Sequence, residues 1–179
     1  MPEIEIHPAT MDDLKLFAGM DHSYETVYVW QMDRLVEEGQ IYLNYREVRL
    51  PRPVRVDYPR SPKLLLGEYP ARCMVLTASI GHHPVGYISL SDQFVPHSAW
   101  ITDLAVHPEH RRTGIGTALV LAAQEWSAEK RFRRLVIEMQ SKNYPAIQLA
   151  RRLGFEFCGY NDHYYSNQDI SLFFGRFLK

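Results

Sequence analysis

Residues Leu104 to Gly116 read LAVHPEHRRTGIG, and the rest of the chain is organised around this stretch. It continues an apolar run, Ala99 to Val106 (AWITDLAV), that reads as a strand. His107-Pro108-Glu109-His110 breaks the run as a loop. From Gly114 onward the apolar residues Ile115, Leu119, Ala122 and Trp126 fall at helical spacing. A strand therefore runs into a loop, and the loop turns at Gly114 and Gly116 into a helix. Glycines let backbone N–H groups come close to an anion. The first helical turn leaves N–H groups unpaired at the positive end of the helix dipole. Together they make a diphosphate cradle over Arg111, Arg112, Thr113, Gly114, Ile115, Gly116 and Thr117, with the two arginines as cations at its rim. Two other phosphate loops are excluded. Thr117-Ala118 stands where a P-loop needs Lys-Ser/Thr, and a dinucleotide fingerprint needs a third glycine and an early βαβ unit. Taken alone, the loop equally fits a helix that merely begins at glycines.

Working outward, Leu135 to Met139 (LVIEM) is an apolar strand. Pro145 starts another helix with Ile147, Ala150 and Leu153 on one side and Gly154 as its C-terminal cap. Strands near Phe155 to Tyr160 and Ile170 to Phe177 close the chain. Upstream, Cys73 to Ile80 and Val85 to Leu90 form a hairpin through Gly81-His82-His83-Pro84. Ile4-Glu5-Ile6 reads as a short strand, and Asp12-Asp13 with Leu14 and Phe17 as a helix start. The spacing of Val27, Trp30, Gln31, Arg34, Leu35 and Glu38 predicts a second helix over Tyr24 to Glu38. From 41 to 62, apolar residues alternate with arginines and meet prolines at 51, 53 and 59, which predicts an irregular or edge strand. The expected architecture is α+β: a mixed, mostly antiparallel sheet of about seven strands flanked by about four helices, in one domain over residues 1–179.

Composition narrows the function classes. A net charge of −1 argues against wholesale capture of nucleic acid, and the arginine-rich 46–60 segment reads instead as a wall on the acceptor side. The two cysteines, Cys73 and Cys158, form neither a disulfide framework nor a metal-ligand pattern, so buried free thiols in a reducing compartment are expected. The N-terminal Met1 to His7 has no signal pattern, and no run reaches the roughly 18 apolar residues of a membrane span. A cytoplasmic protein is expected. His107, His110, His82 and His83 have no metal spacing and read as solvated loop residues.

The sequence resembles the GNAT acyltransferase superfamily. The resemblance rests on Val106-His107-Pro108, on Arg111-Arg112-Thr113-Gly114-Ile115-Gly116, and on Asn143, Ala146, Leu149 and Gly154-Phe155 at the superfamily's spacing. The opening Ile6-His7-Pro8-Ala9-Thr10-Met11-Asp12-Asp13 is similar as well. The second half is similar to streptothricin-type acetyltransferases at Trp100 to Val106, Glu125-Trp126, Ile137-Glu138-Met139-Gln140 with Asn143, and Tyr165-Ser166-Asn167.

The resemblance implies acetyl-CoA as co-substrate, no metal, and a small cationic amine as acceptor. It further implies that the Ala99–Val106 strand splays from its neighbour and holds the pantetheine arm with its backbone at Leu104, Ala105 and Val106, with Asn143 nearby. An alkylammonium must lose a proton before it attacks. Asp103 and Glu138 are the candidate acceptors of that proton, and either could instead bind a cationic substrate. The superfamily's usual tyrosine acid falls at Ala150 here, so Tyr165 is the candidate acid, with Tyr144, Tyr160 and Tyr164 as alternatives. Protein acetylation at a lysine or N-terminus, or non-catalytic binding of acyl-CoA, are the other readings. Homodimerisation is a further possibility the superfamily implies.

Overall fold

The computed structural model describes residues 3–179; Met1 and Pro2, at the head of the stretch read above for a leader, lie outside the described residues. The elements run β1 (Ile4–Pro8), α1 (Met11–Ala18), β2 (Tyr24–Glu37), β3 (Gln40–Val56), α2 (Leu64–Glu68), β4 (Met74–Ile80), β5 (His83–Ser91) and β6 (Ser98–Val106). They continue with α3 (Ile115–Glu129), β7 (Arg134–Gln140), α4 (Tyr144–Arg152), β8 (Glu156–Asn161) and β9 (Ser171–Phe177). Seven strands form one sheet in the order β1-β4-β5-β6-β7-β9-β8, and β2-β3 stand apart as a two-stranded sheet. Only β6 and β7 run parallel, joined through α3. The α+β architecture read from the sequence, with a mixed and mostly antiparallel seven-stranded sheet, is the one observed.

Alternation along the strands sends successive residues to opposite faces, and each face has its own helical cover. Leu76, Ile88, Leu90 and Ile101 pack under Ile115, Leu119, Val120 and Ala123 of α3 and Ile147 and Ala150 of α4. Val75, Tyr87 and Ala105 face Leu14 and Phe17 of α1, where Phe17 and Tyr87 stack at 4.8 Å. Each buried Val, Leu, Ile or Phe among them contributes about 1.5–3 kcal/mol by leaving water. Thr10 starts α1 with a reciprocal cap, its hydroxyl accepting from the Asp13 amide while Asp13 accepts from the Thr10 amide. Thr77 also donates to Asp13, which ties that cap to β4.

The predicted helix over Tyr24–Glu38 is instead β2, turning at Glu38-Gly39 into β3, with Gly39 at φ +73. Residues 24, 26, 28, 30 and 32 are buried or half-buried while 25, 27, 31 and 33 are exposed, a period of two that the helical reading passed over. Aromatic and β-branched residues fill the run, and these favour a pleated surface over a helix. The fourth helix of the count is α2. The proline-broken strand is present: Thr26 pairs with Val54 and Tyr28 with Arg49, so Leu50 to Pro53 bulge opposite Val27. This hairpin lies against the end of the main sheet, with the Trp30 amide donating to the Ser141 carbonyl and Tyr45 against Phe157.

Both cysteines are free, but only Cys73 is partly buried; Cys158 is exposed on the edge strand, contrary to expectation. Among the described residues, no helix is long and apolar enough to cross a membrane, and no group of three or more His, Cys, Asp or Glu could hold a metal ion.

Gly86 allows β5 to lie close to β6, since an added Cβ would sit 2.9 Å from the Ala105 carbonyl oxygen. Gly86→Ala is expected to cost about 1–3 kcal/mol through overpacking, read as a lower midpoint in denaturant unfolding.

Candidate functional site

At the end of β6 the chain makes the predicted strand–loop–helix junction. Arg112 and Gly114 both take positive φ, +66 and +94, and Gly114 caps α3 with no side-chain bond. Left-handed residues at this spacing turn successive N–H groups inward into an anion-binding hollow. The first-turn amides of Ile115, Gly116 and Thr117 cannot reach an intrahelical partner, and the helical ladder begins with the Ala118 amide on the Gly114 carbonyl. Thr113 stitches the loop by donating to the His110 carbonyl at 2.6 Å. The Ile115 side chain is buried, so that residue offers only its backbone. Gly116 lies against Leu149 of α4, where a Cβ would be 3.4 Å away.

The two arginines part company. Arg112 is exposed beside the junction. Arg111 turns inward and spends its fork on three carbonyls: Val106 at 2.8 Å, Ser23 at 2.7 Å and Asp21 at 3.0 Å. It therefore clamps the Asp21–Ser23 segment to the end of β6 instead of facing the cradle.

The splay is present. β6 and β7 pair from Ser98↔Arg134 to Ile101↔Ile137 and no further. Between the Ser89↔Asp103 and Leu90↔Ile101 pairs, Thr102 is an extra residue that bulges β6. Beyond it, the Thr102 and Val106 carbonyls accept from Arg60 and Arg111 on the side away from β5. Leu104 lies two residues from each, so its N–H and C=O face the same side, where β7 no longer pairs. Ala105 has the opposite orientation, in register with Tyr87 and with its methyl toward α1. The cleft left between the strands is lined by Thr102, Leu104, Glu138, Gln140, Asn143 and Tyr165 among others. Asn143 caps α4 by accepting from the Ala146 amide at 3.1 Å.

Both candidate carboxylates are buried, each at 6% exposure; Glu138 lines the cleft, whereas Asp103 lies behind Tyr58 and Arg60 and does not. Asp103 accepts from Tyr58 at 2.8 Å and Thr102 at 3.0 Å, with Arg60 at 3.9 Å and Arg72 at 3.8 Å. Glu138 is paired with Arg60 through one oxygen and accepts from Tyr164 at 3.0 Å through the other. Burial pushes the Glu138 pKa up, and the neighbouring Arg60 opposes this only in part. Tyr165 lines the cleft beneath Arg60, but its hydroxyl is bonded to Ser171 at 3.2 Å; burial raises its pKa. Burial likewise pushes the Tyr164 phenol up to about 12. Tyr144 and Tyr160 pack on Tyr28 and Tyr45 and do not line the cleft.

Arg60, Tyr58 and Arg72 were not read as site residues. Most of the 46–60 segment, expected as a wall on the acceptor side, is the largely exposed strand β3; Tyr58 and Arg60 at its end line both the cleft and an outer vestibule with Asp21, His22 and Asp57. His22 is buried and neutral, its pKa lowered by burial, with one ring nitrogen on the Met20 carbonyl and the other on the Tyr87 hydroxyl.

The sequence model of the acetyltransferase (GNAT) family matches residues 22–155, well over half of the chain. The chain belongs to that family. Streptothricin acetyltransferase of Streptomyces lavendulae is 40% identical over 76 residues, which is 40% of each chain. Across the curated relatives it matches, this chain spans 34–55% of their length. In fold it is similar to nourseothricin acetyltransferase (TM-score 0.81, 23% identity, 98% of this chain and 99% of that one). It is similar too to a Bacillus anthracis str. Ames protein solved with acetyl coenzyme A (TM-score 0.78, 20% identity, 99% of each).

Arg111→Met removes three charge-assisted bonds to carbonyls. It is expected to cost about 1.5–3 kcal/mol and to raise amide exchange at Asp21–Ser23 above that of the neighbouring α1.

Proposed function

We propose that this chain, as one domain, transfers the acetyl group of acetyl-CoA to a primary amine of a small cationic acceptor by direct attack on the thioester. The observation that carries the reading is the end of β6–β7 pairing at Ile101↔Ile137, with Asp103 and Glu138 buried just beyond it and the glycine cradle at the end of the same strand. Acetyl-CoA supplies a thioester whose thiolate, with a thiol pKa near 8.5, leaves without strict need of an acid. The cradle fits its diphosphate: an uncapped helix start, two left-handed residues and the Arg112 cation. The unpaired edge at Leu104 offers N–H and C=O groups to an extended amide-bearing arm, as a neighbouring strand would. An N–H on this edge polarises the carbonyl under attack.

The acceptor's ammonium, with a pKa near 10.4, must give up a proton before it can attack. Glu138 is the group we assign to take it, because it lines the cleft between the parted strands, whereas Asp103 does not line it and already accepts from two hydroxyls. Tyr165 would donate to the leaving sulfur only by releasing Ser171. The reading takes the protein as a cytoplasmic enzyme that needs no metal, which its two free cysteines support.

Purified protein with acetyl-CoA should release free thiol when given small polycationic amines, streptothricin among them. Release on none of them, or on peptides alone, would overturn the reading. Glu138→Gln should lower kcat by about 10²-fold or more while leaving the acetyl-CoA affinity unchanged by calorimetry. For the wild type, a base must be ionised to act, so kcat/KM should fall as the pH drops through the Glu138 pKa. Because that pKa is raised, the fall should lie above the ordinary glutamate value of about 4.3. Gly114→Val, strained at φ +94, should weaken coenzyme A binding by about tenfold.

A further inference from the structure

Between Val56 and Leu64 the chain crosses the open side of the sheet without regular structure, and Pro59 and Pro62 bracket Arg60 there. The Arg60 guanidinium enters the gap between β6 and β7. It donates to the Thr102 carbonyl at 2.9 Å, just past the last paired residue of β6, so it fills the place of a β7 partner. Its other nitrogen is paired with Glu138, and its plane lies 5.2 Å from the centre of the Tyr165 ring. Backbone, carboxylate and aromatic ring fix the fork from three sides.

We propose that Arg60 is a positioning residue of the reaction, holding Glu138 in the ionised form that can accept the acceptor's proton. This rests on the reading of Glu138 as the proton acceptor.

The groups facing Glu138 decide what its removal would do. Arg60 comes from the crossing segment, Asp103 from β6, and Tyr164 and Tyr165 from the stretch before β9; Tyr58 and Arg72 stand behind Asp103. Arg72 is held by Glu68 at 2.6 Å, so among these groups Arg60 is the cation in direct contact with Glu138. Take away Arg60, and burial and Asp103 both favour the protonated acid, with only the Tyr164 hydroxyl opposing them. A glutamic acid that already carries a proton cannot take another. Since Arg60 lowers the Glu138 pKa, its loss raises that pKa and moves the acid limb of kcat/KM to higher pH.

An arginine with only a structural role would, when replaced, lower the melting temperature or the rate alike at every pH. The test is therefore the pH profile of kcat/KM for wild type, Arg60→Met, Arg60→Gln and Glu138→Gln, with acetyl-CoA binding and circular dichroism measured on each. In Arg60→Met the acid limb should move up by about one pH unit or more. Arg60→Gln keeps donors but drops the charge, and should move the limb likewise should Arg60→Met not fold. A folded variant that binds acetyl-CoA as wild type does and keeps the wild-type limb overturns the proposal. If Glu138→Gln keeps wild-type turnover, the proton-acceptor reading itself fails. If Glu138→Gln is slow and the Arg60 limb is unmoved, that reading stands and only the role of Arg60 falls.

Discussion

The parting of β6 from β7 after Ile101↔Ile137 is the constraint on which the rest of the site depends. Parallel strands need a crossover, and here α3 supplies it, so β6 must end where the helix can begin. The extra residue at Thr102 bends β6 at the point where pairing stops. One strand consequently does three things within nine residues. It pairs with β5 on one side, exposes an unpaired backbone edge on the other, and delivers the chain to the amide hollow at Gly114. Without the parting, Asp103 and Glu138 would be neighbours in an ordinary sheet, with no space between the strands for a third group.

That third group is Arg60, and it changes what two buried carboxylates mean. Acids on the walls of a cleft suggest a trap for cations. Arg60 pairs with Glu138, and Arg72 is shared between Asp103 and Glu68, so much of the acids' charge is already answered from within the fold. On the proposed reading this suits the chemistry, since the attacking nitrogen has to arrive neutral. A second positive group on the acceptor would be met outside the cleft, in the vestibule that holds Asp57.

The legible part of this structure was the part encoded in short, local patterns. The glycine junction, the apolar run before it and the Asn143-to-Phe155 helix each satisfy a rule within about a dozen residues, and all three stand where they were read. The illegible part was set by contacts made far along the chain. Tyr24 to Glu37 carries both a period near 3.6 and a period of two, and the choice falls to pairing with β3 and packing on Phe157 and Phe174. Arg111 reads as a rim cation because it adjoins the glycine junction, but its side chain answers carbonyls 88 and 90 residues upstream. Arg60 looked like one more arginine in a basic stretch. Its difference lies in Thr102 and Glu138, 42 and 78 residues away, and no local pattern records that.

Ala150 shows how the two scales meet. It occupies the position of the superfamily's tyrosine, and here it is fully buried beneath α4 among Ile147, Leu119 and Phe155. A methyl at that point closes the core and leaves α4 with no hydroxyl to offer the cleft from this position. Phenols approach Glu138 and Arg60 from elsewhere, because the segment between β8 and β9 folds Tyr164 onto Glu138 and the Tyr165 ring under Arg60. Both phenols are pushed upward in pKa by burial, so they hold their protons through the neutral range. The phenols around Glu138 therefore come from the segment that leads into β9, not from the helix beside the glycine junction. The glycine junction follows the family's local pattern, whereas the surroundings of Glu138 are assembled from the chain's own long-range contacts.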